Sequence, residues 1–199
     1  MARLIRVLIL GLRKAIDPTM TQFTHRLAQM SDLDNLRDVM RLAIENLQSD
    51  FLSPDQVRAS HHVMGLDTQL IKDQTYFIIE AGATIAGCGG WSWRATLYGG
   101  DKSMIAREPV ALDPSKDPAR IRAMYTNPNY ARRGVGRMIM DLCEAAAANH
   151  GFSKVVLMAT LSGEPLYRTC GYRPIEHIQS NEIDGVRVPL ILMGKDLGA

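Results

Sequence analysis

The chain is poor in the features that mark several large classes of protein. It has no run of ~18 apolar residues, so no membrane span is expected. It has three cysteines, Cys88, Cys143 and Cys170, an odd number at spacings that match no zinc or redox motif. Neither a disulfide scaffold nor a metal site is therefore expected. Each cysteine lies in or beside an apolar run and reads as a buried free thiol, which fits a reducing cytoplasm. Neither sign of charge prevails: 23 Lys and Arg against 21 Asp and Glu leave a net charge of +2. That gives no electrostatic case for nucleic acid. No Gly-Lys-Ser/Thr ending marks a P-loop, and the three-glycine spacing of a dinucleotide fold is missing. Internal repeats and low-complexity stretches are also lacking.

What is present is the material of one soluble domain. The 199 residues are 46% apolar and 22% charged, enough for one core and too few for two domains of ordinary size. The first twenty residues stand apart. Arg3, Arg6, Arg13 and Lys14 punctuate an apolar series from Leu4 to Leu12. This run is short and has no small-residue cleavage site, so it does not read as a secretory signal. Residues 1–20 are taken as a basic, apolar extension. A dispensable tail, packing on the domain or a partner, and membrane contact all stay open for it. Residues 21–199 are taken as the domain.

Hydrophobic periodicity lays out the domain. Phe23 to Ala28 reads as a strand. Ser31 is the expected N-cap of a helix whose apolar residues are Leu33, Leu36, Val39, Met40, Ala43 and Leu47. Ser53-Pro54-Asp55 opens a second helix. Tyr76 to Glu80 and Thr84 to Trp93 read as an antiparallel pair joined at Gly82. A long connection with Gly99, Gly100 and three prolines leads to a strand over Ile121 to Thr126. An amphipathic helix with Met138, Ile139, Leu142, Cys143 and Ala146 follows, and then a strand from Ser153 to Thr160. A short helix ends at Gly171. Two more strands close the chain, the last over Val186 to Met193.

The most informative stretch joins the Ile121 strand to the amphipathic helix: Tyr130-Ala131-Arg132-Arg133-Gly134-Val135-Gly136-Arg137. A glycine-bearing loop that opens a helix is a ready anion site. Backbone N–H groups converge there, the helix dipole adds positive potential, and glycine lets a phosphate approach. Taken alone, the loop is equally a tight turn with exposed arginines. Downstream, Leu166-Tyr167-Arg168-Thr169-Cys170-Gly171-Tyr172 follows the second central strand.

With both segments at this separation, residues 121–175 resemble the GNAT acetyltransferase superfamily. The resemblance implies an α/β (α+β) fold with a mixed, mostly antiparallel central sheet, helices on both faces and splayed central strands. It implies acetyl-CoA as cofactor, its pyrophosphate on Arg132, Arg133, Gly134, Val135, Gly136 and Arg137. Its pantetheine arm would lie along Met124, Tyr125 and Thr126, with Thr160 and Tyr167 beside it. The Met124 N–H would face the thioester carbonyl. Two positions depart from the usual pattern: Ala131 stands where Gln or Arg is common, and Thr160 where Asn is common. Homodimers are frequent in the superfamily, so a homodimer is a possible state.

Acetyl transfer needs a neutral amine, a donor for the oxyanion and an acid for the departing thiolate. Tyr167 matches the family's acid position, and its phenol is protonated at neutral pH; the alternative is that it only packs the short helix. No general base stands out among Glu80, Glu164, His61 and His62. Trp91, Trp93 and Tyr98, with Arg94 and Asp101 nearby, are the candidates for an acceptor pocket, or else core and loop residues. The resulting expectation is an N-acetyltransferase acting on a primary amine of a small molecule or protein. A non-catalytic acyl-CoA-binding module is the second reading.

Overall fold

The structure, a computed structural model, describes residues 22–101 and 110–198. The extension expected over residues 1–20 lies outside the described residues. The strands are β1 (Phe23–Leu27), β2 (Tyr76–Ala81), β3 (Thr84–Ser92), β4 (Ala119–Thr126), β5 (Lys154–Thr160), β6 (Arg173–Gln179) and β7 (Pro189–Asp196). The helices are α1 (Leu33–Leu47), α2 (Pro54–Val63), α3 (Thr68–Lys72), α4 (Val135–Asn149) and α5 (Glu164–Thr169). The one element missing from the sequence expectation is α3. Five residues are too few to show a helical period, and Asp67 starts the helix by accepting from the Gln69 N–H at 2.9 Å.

Helix entries follow local chemistry, with one correction. Ser53 and Gln56 form a reciprocal capping box on α2, as expected of Ser before Pro. Ser31 does not cap α1. A 3-10 turn over Met30–Asp32 precedes that helix, and Asp32 instead accepts from the Gln29 N–H at 2.8 Å. Arg26, on β1, grips the same carboxylate at 2.8 and 2.9 Å. Its hydrogen bonds hold the Asp32 carboxyl below the usual carboxylate range against the opposing effect of burial.

Among the described residues the strands form one sheet in the order β1-β2-β3-β4-β5-β7-β6. Only β4 and β5 run parallel; the other neighbours are antiparallel. Helices cover both faces. On one face Leu36, Val39 and Ile44 of α1 and Leu70 of α3 pack on Ile78, Cys88 and Tyr125. On the other, Val135, Ile139 and Cys143 of α4 and Tyr167 of α5 pack on Ile79, Ala86, Ile121 and Leu157. A third cluster joins Ala59 and Val63 of α2 to Val188 and Leu190 at the start of β7.

Two polar residues are buried between the sheet and α3. Arg122 of β4 donates to Asp67 at 2.6 Å, both side chains being 3% exposed, and to the Gly99 carbonyl at 2.8 Å. The pair ties the β3–β4 connection and the α3 N-terminus to the middle of the sheet. Breaking a buried pair strands a charge and costs about 3–5 kcal/mol. Asp67→Ala should therefore lower the thermal midpoint by several degrees or more. Asp67→Leu combined with Arg122→Met should recover most of that loss, since apolar replacement of both partners removes the stranded charge.

Candidate active site

The site begins with a fault in β4. Cys88 of β3 pairs with Tyr125 and Gly90 pairs with Arg122, so Ala123 and Met124 together face the single residue Gly89. This is a β-bulge, and Ala123 takes a left-handed φ of 51°. The bulge reverses the alternation of side chains. Ala119 and Ile121 pack on the α4 side, while Ala123 and Tyr125 lie with the α1 side. Met124 joins the α4 side instead. A period-of-two reading of Ile121 to Thr126 gives the opposite face for these last residues.

The bulge coincides with the point where β4 leaves β5. The two strands pair only from Ala119–Val155 to Ile121–Leu157. Beyond that point Met124 and Thr126 diverge from Met158 and Thr160, and two cavities open that share wall residues. One is bounded by Thr126, Leu166, Gly163 and the α1 residues Ala43 and Ile44. The other is bounded by Val63, Tyr98, Gly99, Ile121, Leu157 and Leu190. Met64, Met124, Tyr125, Thr160 and Tyr167 line both.

The glycine loop follows directly. Asn127 donates its N–H to Ala86 at 2.9 Å and accepts from the Asn129 N–H at 3.1 Å, which fixes the exit from β4. A 3-10 turn over Pro128–Tyr130 comes next. Arg132 and Gly134 both have positive φ, 63° and 86°. Gly134 is the N-cap of α4, and a Cβ there would meet nothing within 4 Å. The first turn of α4 contains no acidic residue. The cradle is therefore open, basic and lined by helix N–H groups, as a pyrophosphate requires. Arg133 lies over the Tyr130 ring at 5.7 Å. Arg137 is exposed and donates one N–H to the Thr169 carbonyl at 2.8 Å. A Cβ on Gly136 would sit 2.6 Å from Leu166. Gly136 and Arg137 thus bind α4 to α5, a role the loop reading did not anticipate.

That contact sets Tyr167. Its residue is 8% exposed, burial pushes its phenol above the ordinary tyrosine range, and its hydroxyl makes no hydrogen bond to a described residue. Gly163 lets the ring come close, since a Cβ there would lie 2.8 Å from Tyr167 Cε2. Thr160 shapes the same turn by accepting from the Gly163 N–H at 3.2 Å. The four base candidates are placed elsewhere. Glu80 pairs with Arg26 at 2.9 Å and Glu164 with Arg168 at 2.7 Å. His61 borders a separate groove between α1 and α2, and His62 is exposed. None of the four lines either cavity.

Of the aromatic candidates for an acceptor pocket, only Tyr98 borders the cavity. Trp91 is 3% exposed and packs with Phe152 in the α4 core. Trp93 stacks on His150 at 5.0 Å, at the far end of α4. Both belong to the α4-side core, so of the two readings left open for them the packing one holds in the structure. Gly100 itself is a packing glycine, a Cβ there falling 2.6 Å from the Gly65 carbonyl carbon. Asp101 accepts from the Thr68 N–H. Sequence reasoning missed Tyr76, Gly89 and Gly90, which surround the bulge. The crowding of Gly87, Gly89 and Gly90 in an otherwise apolar strand was the available signal.

Comparisons with known proteins agree with this geometry. The sequence matches the Acetyltransferase (GNAT) family over residues 40–172. No curated protein sequence matches it. Among solved structures, a GCN5-related N-acetyltransferase from Rhodopseudomonas palustris superposes with a TM-score of 0.63 at 17% identity, covering 89% of this chain and 97% of the other. The PaiA N-acetyltransferase of Thermoplasma acidophilum, solved in complex with coenzyme A, gives 0.57 at 14% identity, covering 88% and 99%. An N-acetyltransferase from Staphylococcus aureus gives 0.59 at 12% identity, covering 88% and 99%. At these identities the likeness is one of fold. The family match spans well over half of the sequence and includes the bulged strand, the glycine loop and Tyr167, and by it this chain belongs to the GNAT acetyltransferase family.

Proposed function

We propose that the protein transfers the acetyl group of acetyl-CoA directly to a primary amine, with Tyr167 as the proton donor. The observation that carries this reading is the divergence of β4 from β5 between an open glycine cradle and a buried phenol. The cavity toward Thr126 and Leu166 suits the pantetheine arm. The free edges of β4 and β5 offer backbone N–H and C=O groups to its amides, as an added strand would use them. The α4 N-terminus with Arg132 and Arg133 suits the pyrophosphate.

The opposite cavity would take the acceptor. Its walls include Val63, Leu97, Leu157, Met158 and Leu190, with the phenols of Tyr98 and Tyr167. Among the described residues its one cation, Arg122, is paired with Asp67. No carboxylate lines it among the described residues. This supports an amine on a compact apolar body over a polycation, which would find no counter-charge there. A protein amine remains within the reading if its flanking residues are apolar.

The chemistry balances with a single phenol. A neutral amine forms the C–N bond at the thioester carbonyl, and the C–S bond breaks. Tyr167 gives its proton to the leaving sulfur. The resulting phenolate takes the proton that the acylated nitrogen sheds, which restores the enzyme. No separate base is needed if the amine arrives neutral. Buried free thiols at Cys88, Cys143 and Cys170 support a reducing, cytoplasmic setting. A homodimer belongs to the same reading, supported by the exposed edge strand β6 with Ile175 on it.

Tyr167→Phe should lower kcat by about 10²–10⁴-fold, the usual range for general acid catalysis, with little change in acetyl-CoA affinity. Thiol release from acetyl-CoA reads this, and a parental rate would make the tyrosine structural. Because burial raises the Tyr167 phenol, its acid form persists above the ordinary value near 10. The pH profile of kcat/KM should rise as the amine deprotonates and show no falling limb below about pH 10. In a thiol-release panel, arylalkylamines should exceed spermidine and lysine-rich peptides; the reverse order would reassign the acceptor class.

Gly134→Asp should weaken CoA binding about tenfold by placing a carboxylate at the helix N-terminus. Gly134→Asn has a similar side chain and the same positive φ, which Asn tolerates, and should lose much less. Calorimetry on both variants separates charge from strain. Parental affinity in the Asp variant would remove the loop from the cofactor site.

A further inference from the structure

Tyr76 lies on β2, two strands from the site, and is fully buried. Its hydroxyl nevertheless reaches the Ala123 carbonyl of β4 at 2.7 Å, crossing β3 to do so. The crossing depends on Gly90, where a Cβ would stand 2.7 Å from Tyr76 Cδ2 and 2.6 Å from the Thr75 carbonyl. At the neighbouring Gly89, a Cβ would overlap the Met124 sulfur. Two glycines of β3 therefore clear the space for one phenol and one bulge. Cys88 Sγ lies 3.4 Å from the same phenol oxygen. Burial pushes the Tyr76 phenol well above its ordinary range, so the group stays a proton donor. Its partner, Ala123, holds a positive φ that an L-residue adopts at a cost.

The peptide joining Ala123 to Met124 is planar and trans, so its C=O and N–H point in opposite directions. No cis peptide is found among the described residues. A carbonyl held by Tyr76 directs the Met124 N–H away from Tyr76. We propose that Tyr76 is a positioning residue: by gripping the Ala123 carbonyl it sets the bulge peptide so that the Met124 N–H is presented to the thioester oxygen beside Tyr167. The inference rests on the acetyl-transfer reading given above. Tyr76 touches neither cavity, so it acts only through the peptide it holds. A backbone donor is useful in catalysis only if it is aimed where charge develops. A β-bulge with nothing bound to its carbonyl has more than one way to place that peptide.

Tyr76→Phe keeps the ring and removes the grip. Two readouts are combined. In steady-state kinetics with the best amine, kcat should fall about 10²-fold, the scale of a misplaced reacting group, while the KM for acetyl-CoA and the affinity for CoA stay within about twofold. In isotope-edited infrared spectra of bound, carbonyl-labelled acetyl-CoA, the parent should show a thioester stretch lowered by the backbone hydrogen bond, and the variant should lose that lowering. The spectrum reports only folded, cofactor-bound molecules and needs no acceptor. A loss of stability therefore does not obscure the result. Cys88→Ala, which leaves the Tyr76–Ala123 bond in place, should keep both kcat and the lowered stretch. A Tyr76→Phe variant with parental kcat and an unshifted spectrum overturns the proposal and leaves acetyl transfer standing. A parent protein that does not bind acetyl-CoA overturns the acetyl-transfer reading, and this proposal with it.

Discussion

The site depends on the placement of one peptide, that between Ala123 and Met124. A regular β4 would carry its ladder with β5 to the end, and no cleft would separate them. The extra residue bends the strand, turns Ala123 and Tyr125 toward α1, and brings Met124 to the α4 side. After the bulge, β4 and β5 diverge with one edge of each unpaired. In water an open strand edge invites aggregation. Within a cleft between α1, α2 and α5 it becomes a place for a ligand to pair. The positive φ at Ala123 is a local cost that surrounding packing offsets. Tyr76 secures one side, and the small residues of β3 accommodate the other.

Around this peptide the polar groups are arranged as anchors. Arg122 and Asp67 hold the β3–β4 connection, and the Tyr125 hydroxyl donates to the Gly65 carbonyl at 3.1 Å. Each bond joins β4 to the region between α2 and α3, the wall of the acceptor-side cavity. Such buried polar bonds add modest net stability but resist being broken singly. Their arrangement fixes a cavity whose walls are largely apolar. Burial raises the phenols of Tyr76, Tyr125 and Tyr167 above the ordinary tyrosine range, so each stays a proton donor.

The glycine loop and the acid candidate are also mechanically joined. Leu166 rests where a Gly136 side chain would be, and Arg137 holds the Thr169 carbonyl. The helix that would receive pyrophosphate therefore bears directly on the helix that carries Tyr167. The N-terminal turn of α4 and the placement of the phenol are thus tied by the same pair of contacts. Arg137, expected from the sequence to hold phosphate, also ties α4 to α5 through one of its five N–H donors.

Local signals in the sequence determined the order of strands and longer helices, the glycine loop opening α4 and the short helix with Tyr167. Hydrophobic period, Pro and Gly placement and helix capping act over a few residues, so they can be read along the chain. The family match agrees with the fold those signals suggested. The tertiary structure alone decided what depends on partners distant in sequence. Arg122 met Asp67 across 55 residues, Arg26 met Glu80 across 54, and the bulge reversed the faces beyond Ile121. It also sent Trp91 and Trp93 to the α4 core and engaged Glu80 in an ion pair. Tyr76 shows the reason most plainly. Its hydrogen bond joins residues 47 apart in the chain, across a strand whose glycines have no evident purpose until the three strands lie side by side.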